Sequence, residues 1–230
     1  MGWRTVQRGR FSGRREVAIG LGVYALYLLA SRRKRGEEGR RQAARNAERV
    51  VALERRLGLH VEPQLQELVL PYRRLLAVLN VAYVVSNAAL TVGWLLRLYA
   101  RRHPEFHRFR RAAVLTTLAC QPVFYFFPCA PPRSLDHLVD TISDVSGFDL
   151  DSGPAAQLYD PLSAMPSIHV AYAVVTAAGV AAASESPALR AVAPAYPPLV
   201  AAVVFVTANH YVLDAVAGAA IAGAALRLAR

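Results

Sequence analysis

The chain has 230 residues, of which 54% are hydrophobic, and it carries a formal net charge of +11 at pH 7. The apolar residues come in blocks that approach the roughly 20 residues needed to cross a bilayer, instead of in the stripes of a soluble domain. The basic residues flank these blocks and no nucleic-acid-reading motif accompanies them. This pattern argues against a nucleic-acid partner and for contact with anionic lipid head groups. We therefore predict a polytopic α-helical membrane protein.

The N-terminal third is predicted to precede the main bundle. Residues 1–15 contain five arginines and are typical of a surface tail, and residues 16–31 are apolar enough for a first span. Because no small-x-small cleavage pattern follows this span, we expect it to be retained and not removed as a signal peptide. Residues 37–57 place apolar side chains at helical spacing among many charges. That pattern predicts an amphipathic helix in the membrane interface, ending at Gly58.

Five further spans are predicted in the rest of the chain. They cover residues 75–98, 112–127, 166–183, a segment through Pro197 and Pro198 that ends at Thr207, and residues 215–230. The last span carries small residues, including Gly218 and Gly223, on one stripe, which is typical of close helix packing. The predicted fold is an all-α bundle of six transmembrane helices with an interfacial amphipathic helix. Residues 1–74 and 75–230 would form one integrated domain. Basic residues are nearly equal in number on the two sides, so charge leaves the orientation open.

The strongest chemical signal is a histidine and an aspartate four residues apart, His210 and Asp214, at the start of the last apolar block. Residues at this spacing lie on one face of a helix, so the carboxylate can hold the imidazole in one tautomer and stabilise its cation. An ionisable pair at the end of a membrane segment is costly, which makes it a candidate functional site. Taken alone, the pair fits a structural hydrogen bond equally well.

Two other polar positions are predicted to reach the same side of the membrane. His169 opens the fourth span and Arg133 leaves the third, and successive spans alternate in direction. In isolation, His169 would more often be a polar interfacial residue and Arg133 a head-group anchor. Pro166 and Ser167 stand before His169 at a helix start, where free N–H groups favour an anion. Together with the His-Asp pair, these residues favour a site for a phosphate ester.

A metal centre built from His169, His210 and Asp214 is the competing interpretation. Such ligands would have to lie about 2 Å from one ion, and neither a cysteine nor a second carboxylate is placed to complete the set. Cys120 and Cys129 are nine residues apart, too far for a disulfide if that block is helical. We therefore expect no metal and no cofactor.

These motifs resemble the signatures of the type 2 phosphatidic acid phosphatase superfamily. Residues 166–169 match its Pro-Ser-x-His signature, and residues 210–214 match its His-x-x-x-Asp signature. Residues 127–132, which read Phe-Pro-x-x-Pro-Pro, resemble the branch that contains inositol phosphorylceramide synthase and its bacterial relatives. The resemblance covers roughly residues 75–220 and leaves the amphipathic helix out.

The resemblance implies a reaction and a substrate. His210 would attack phosphorus and form a phosphohistidine, Asp214 would orient it, and His169 would protonate the leaving alkoxide and then activate the acceptor. The substrate would be a lipid phosphate or diphosphate, with water or an alcohol as acceptor and no cofactor or metal. The site would face the extracytoplasmic side of a bacterial inner membrane. The residues expected to bind the phosphate oxygens are Arg133, Pro166, Ser167 and Asn209.

Two departures from the wider superfamily bear on the substrate. Val203 and Val204 stand where a Ser-Arg pair is usual, and Asp160 precedes Pro161 where the branch usually has an asparagine. A lipid phosphatase and a phosphotransferase therefore both stay open. A non-catalytic membrane lipid-binding or transport protein is the alternative from another class, and the intact histidines and aspartate argue against it. A soluble haloperoxidase of related fold would not need six membrane-length blocks.

Overall fold

The computed structural model describes residues 11–32, 36–147 and 160–230. Within these ranges the chain is helical, apart from loops and an isolated bridge between Cys129 and Ser163, which agrees with the predicted all-α class. The first ten residues of the predicted tail, and residues 148–159 of the loop before the fourth predicted span, lie outside the described residues. The helices in chain order are α1 (Gly13–Arg32), α2 (Glu37–Leu57), α3 (Glu62–Val69), α4 (Arg73–Val81), α5 (Asn87–Ala100), α6 (Phe106–Phe126), α7 (Thr141–Ser146), α8 (Ile168–Ala183), α9 (Pro187–Val192), α10 (Tyr196–Val206) and α11 (Val212–Leu228).

The second predicted span is bent in its middle. A π-helical turn, Ala82–Ser86, joins α4 to α5, and the segments Arg73–Val84 and Ala89–Ala100 meet at 46°. A π-helical turn shifts the backbone hydrogen bonds by one residue and is a common cause of such bends. The span predicted over residues 75–98 is therefore two helical halves joined by a bend.

One helical segment of the described residues, Pro187–Val206, is long and apolar enough to cross a membrane. It combines α9, a short 3-10 turn and α10. The bent pair of α4 and α5 is a second such segment if its halves count as one span, and α8 is apolar but has only 16 residues. Helix length and composition thus support one or two spans in the described part of the chain.

The centre of the bundle is α8, which packs against α5, α6, α10 and α11. Phe109 of α6 and Val175 of α8 are buried together in this core. Where α11 passes the start of α8, Gly218 is so close that a Cβ atom there would lie 2.2 Å from the carbonyl oxygen of Ser167. The predicted stripe of small residues is therefore required at Gly218. At Gly223 an added Cβ would meet nothing within 4 Å.

The amphipathic helix α2 packs against the bundle. Its apolar face, which includes Ala43, Ala47 and Val50, is buried against the loops that carry the sequence motifs. Asn46 donates a hydrogen bond to the carbonyl of Pro128 at 2.8 Å. The helix ends at Gly58, as predicted, because its φ of 68° is in the left-handed region that favours glycine. The packing makes α2 part of the wall of the site.

Candidate active site

Two histidines that are 41 residues apart in the sequence face each other at one end of the bundle. His210 lies in the loop between α10 and α11, and His169 is in the first turn of α8, behind the N-cap Ser167. Nε2 of His210 is 3.3 Å from Nδ1 of His169. His210 is 3% exposed, whereas His169 is half-buried. The structure thus brings the two motifs together.

The orientation of His210 is set on its other nitrogen. Nδ1 is 2.8 Å from the carbonyl oxygen of Ala164 and 3.4 Å from Oδ2 of Asp214. Because a carbonyl can only accept a hydrogen bond, Nδ1 of the neutral ring carries the proton, and Nε2 keeps its lone pair toward His169. Asp214 also accepts a hydrogen bond from the backbone N–H of Tyr211 at 3.1 Å. The carboxylate is thus held in place beside the ring, while the shorter contact comes from a backbone group.

His169 is in contact with Tyr83, a residue of the second predicted span. The ring of Tyr83 stacks on the imidazole with centroids 4.4 Å apart and an angle of 25° between planes. Tyr83 belongs to the π-helical turn between α4 and α5, so the bend of that segment places its ring beside the histidine pair. No simple pattern in the sequence would have marked this tyrosine.

Arg133 is brought to the same place by a 3-10 turn, Pro132–Ser134, after α6. Its backbone N–H donates to the carbonyl of Ala208 at 2.7 Å, and its Nε donates to Oδ1 of Asn209 at 3.1 Å. A third bond joins Nη1 to Asp140 at 2.8 Å. Only 5% of the arginine is exposed. The guanidinium is therefore a fixed, buried positive charge next to the residue before His210.

The other predicted phosphate-binding residues are occupied by structural contacts. Ser167 is fully buried, its hydroxyl accepts from the N–H of Val170, and its own N–H donates to the carbonyl of Asp214. Asn209 donates its amide to Thr207 and accepts from Arg133. Pro166 is buried and has no N–H to offer. These residues are packed against or bonded to other protein groups of the site. Their direct contact with phosphate stays a prediction.

The start of α11 is capped from an unexpected direction. Glu54 of α2 accepts the N–H of Leu213 at 2.7 Å, and Glu62 of α3 accepts the N–H of Val212 at 3.1 Å. Both carboxyl groups are buried, and burial raises the pKa of Glu54 to about 8, against the hydrogen bond from Leu213, which lowers it. The first N–H groups of α11 are thus already paired with carboxylates.

An apolar cavity of about 230 Å³ opens beside the histidine pair. Its wall includes His169 and Tyr83, and the opposite side is formed by α10 through Tyr196, Leu199 and Val203. The two valines that replace the usual Ser-Arg pair therefore give this wall its hydrocarbon surface. A cavity of this kind suits an acyl or prenyl chain better than a free polar phosphate.

Two cationic residues of α6 lie away from the site. Arg110 pairs with Glu16 at 3.5 Å, and Arg111 donates to the carbonyl of Ala229 near the end of the chain. Neither can take part in phosphate binding at the histidine pair. Cys120 and Cys129 are both free thiols, which also agrees with the prediction.

Comparison with known proteins bears on the same residues. A sequence profile of the PAP2 superfamily matches residues 48–228, whereas no curated protein and no solved structure matches the chain. The match includes the C-terminal part of α2, which the resemblance of the motifs alone had left out. Proteins of this superfamily are in general phosphatases that act on phosphate esters, and most are associated with membranes. The matched residues make up well over half of the chain and include the histidine pair, Asp214 and Arg133. The chain therefore belongs to the PAP2 superfamily.

Proposed function

We propose that the protein is an integral membrane enzyme that cleaves or transfers a lipid-linked phosphate through a phosphohistidine on His210. The observation that carries this proposal is the contact between Nε2 of His210 and Nδ1 of His169 at 3.3 Å. A nucleophile whose lone pair points at a second group that can donate and accept a proton is the arrangement that covalent phosphoryl transfer needs.

In the first step, the lone pair on Nε2 of His210 attacks phosphorus and the bond between phosphorus and the ester oxygen breaks. His169 gives its proton to the departing alkoxide, which leaves as an alcohol. The imidazole of His210 becomes cationic while it carries the phosphoryl group. Asp214 and the carbonyl of Ala164 both face Nδ1, so they stabilise this cation through the N–H that remains.

In the second step, His169 takes a proton from water or an alcohol, whose oxygen attacks the phosphohistidine. The bond between phosphorus and nitrogen breaks, and His210 returns to its neutral form. The two nitrogens are 3.3 Å apart. A phosphoryl group cannot lie between them, because phosphorus would have to stay about 3 Å from each nitrogen before a bond forms. We therefore expect one imidazole to swing aside when substrate binds.

Two groups would stabilise the negative charge that develops on the phosphate oxygens. Arg133 supplies a buried guanidinium, held by Asn209, whose planar donors suit two phosphate oxygens. The start of α8 supplies N–H groups and the positive end of a helix dipole. For Arg133 to bind substrate fully, the phosphate has to share or replace the carboxylate of Asp140, with which it pairs at 2.8 Å.

A lipid substrate is favoured by the cavity next to His169. Its apolar wall would hold the first part of a hydrocarbon chain while the head group reaches the histidines, so the substrate would arrive from the side of the bundle. We place α1, the bent pair α4–α5, α6, α8, the α9–α10 segment and α11 across the membrane as six spans. The site would then open at the extracytoplasmic face of a bacterial inner membrane.

The identity of the acceptor is less constrained than that of the phosphate donor. Water would make the protein a lipid phosphatase, and inositol, a sugar or a lipid alcohol would make it a phosphotransferase like the inositol phosphorylceramide synthase branch. The alternative from another class is a membrane protein that binds or transports lipid phosphates without chemistry. The two classes differ in whether the bond to phosphorus is broken.

The test is phosphate release by the full-length protein in detergent with a panel of lipid phosphates and diphosphates, each with and without inositol or a lipid alcohol. Wild type would be compared with His210→Ala and His169→Ala. His103→Ala is the matched control, since His103 precedes α6 in a different part of the fold. We expect the two site variants to lose more than about 10³-fold in rate, as for removal of a nucleophile or its acid, and the control to keep its rate.

The outcomes separate the hypotheses. Donor consumption that needs an alcohol would identify a phosphotransferase, and consumption in water alone would identify a phosphatase. A wild-type protein that binds the donors but turns none over, or site variants as active as wild type, would contradict the catalytic proposal and favour a binding protein.

A further inference from the structure

Behind the start of α11 lies a second cluster of ionisable side chains that the proposed chemistry does not use. It consists of Glu54 near the end of α2, His60 in the link between α2 and α3, and Glu62 at the start of α3. One ligand-type atom from each residue lies within 4.8 Å of the others. The side chains of both glutamates are 0% exposed and that of His60 is 11% exposed.

In each glutamate, one carboxylate oxygen accepts a backbone N–H group of α11 and the other faces the cluster. The Oε1 atoms accept the N–H groups of Leu213 and Val212. The Oε2 atom of Glu62 is 3.1 Å from Nδ1 of His60, and that of Glu54 is 4.0 Å from the same nitrogen. These two oxygens and both ring nitrogens of His60 are buried without a hydrogen bond in the described part of the chain. Carboxylates are acceptors only, so the two glutamates can bond to each other only through an added proton or cation.

The local negative charge is offset either by a proton, as the raised pKa of Glu54 allows, or by a bound cation. Asp214, in the first turn of α11, is a third fully buried carboxylate. It interacts electrostatically with Glu54 and with Glu62. Arg55 and Arg56 are the cationic side chains closest in sequence to His60, and both are exposed to solvent. Buried carboxylates of this kind are normally paired or coordinate a metal, since uncompensated negative charge is expensive away from water.

We propose that Glu54, His60 and Glu62 bind a divalent transition-metal cation, such as zinc or manganese, that fastens α2 and α3 to the start of α11. Two carboxylate oxygens and one imidazole nitrogen form a ligand set that suits these ions, whereas magnesium and calcium prefer oxygen alone. Ligand bonds of about 2.1 Å in a tetrahedral site put ligand atoms roughly 3.4 Å apart. The measured separations of 3.1 and 4.0 Å bracket that value.

The cation would have a structural role, separate from the chemistry at phosphorus. It would keep both carboxylates ionised, so that each continues to accept an N–H group of α11 within three residues of His210. Through the two capping hydrogen bonds, the site would join α2 and α3 to residues about 150 positions further along the chain. None of its three residues lines the cavity beside His169.

The experiment measures metal content, and not activity. The full-length protein in detergent would be stripped with a chelator, loaded with zinc or manganese, freed of excess ion by gel filtration and analysed by elemental mass spectrometry. We expect about one equivalent per chain in wild type and less than a tenth of that in His60→Gln and Glu62→Gln. Glu67→Gln, an exposed change one turn along α3, is the matched control and should bind as wild type.

A second measurement keeps the test decisive if Glu62→Gln folds poorly. Added zinc or manganese should raise the midpoint of thermal unfolding of wild type by several degrees and leave that of His60→Gln unchanged. A wild-type protein that retains neither ion and shows no such shift would overturn the proposal and identify the cluster as a proton-sharing one. Equal binding by wild type and the site variants would also overturn it. His210→Ala should bind the cation normally, which separates this result from the fate of the proposed reaction.

Discussion

The Nδ1–H of His210 donates to the backbone carbonyl of Ala164 across 2.8 Å, and this contact is shorter than the one to Asp214, at 3.4 Å. In a catalytic triad the carboxylate alone fixes the tautomer of the histidine, and its loss costs about 10⁴ in rate. Here the carbonyl performs that part of the task. In the proposed reaction, Asp214 would then mainly stabilise the charge on His210.

Asp214→Asn should therefore reduce the rate less than in a triad, by on the order of 10². The amide keeps an oxygen for the N–H of Tyr211, so the fold should persist. The measurement is kcat for lipid phosphate hydrolysis by the variant, with circular dichroism as the check on folding. A loss as large as that of His210→Ala would show that the Ala164 carbonyl does not hold the tautomer.

Gly218→Ala should disturb the site from a distance. The new methyl would lie 2.2 Å from the backbone oxygen of Ser167, which cannot yield as a flexible side chain would. Separating α8 from α11 should cost about 1–3 kcal/mol of unfolding free energy and lower kcat, since Ser167 and Asp214 are bonded across this contact. The measurements are the unfolding midpoint and the rate.

Gly223→Ala is the matched control for that change, because its Cβ would meet no atom within 4 Å. We expect it to be neutral or slightly stabilising, as alanine is favoured over glycine inside a helix. Equal losses in the two variants would contradict the close-approach argument.

Arg133→Lys should lower kcat/KM by about 10²–10³, because the transition state would lose hydrogen-bond donors that stabilise its developing charge. Lysine keeps the charge but cannot reproduce the planar donors that reach both Asn209 and a phosphate oxygen. Arg111→Lys is the control, since Arg111 bonds Ala229 near the chain end. If both variants behave alike, Arg133 does not contact the substrate.

Val203→Phe should fill part of the 230 Å³ cavity and discriminate between substrates. We expect a fall of roughly tenfold in kcat/KM for long-chain lipid phosphates and little change for a short-chain ester, since only the former needs the hydrocarbon pocket. Val216→Phe, at an exposed position of α11, is the control. A uniform effect on both substrates would mean that the cavity does not hold the chain.

Much of the site could be predicted because its motifs are short and local. Helix starts at proline and the alternation of spans place His169, His210 and Arg133 at one end without any structural information. The acceptor for His210 could not be identified, because a backbone carbonyl such as that of Ala164 has no residue signature. Likewise, Tyr83 depends on a π-helical turn that no sequence pattern marks.

The contacts of α2 could be predicted least. Its charges and apolar stripe are typical of a helix at the membrane surface, and that pattern is indifferent to whether lipid or protein covers the stripe. Glu54 and Glu62 look like solvated charges in sequence, yet they cap α11 from more than 140 residues away. Such pairings are tertiary and leave no local trace.

The phosphoenzyme itself gives the most direct test of the central claim. The protein would be mixed with a lipid substrate labelled in its phosphate, quenched with alkali and denaturant after milliseconds to seconds, and digested to locate the label. We expect an alkali-stable, acid-labile phosphohistidine at His210, absent in His210→Ala and longer-lived in His169→Ala. Labelling elsewhere, or full turnover by His210→Ala without any trapped label, would contradict the account.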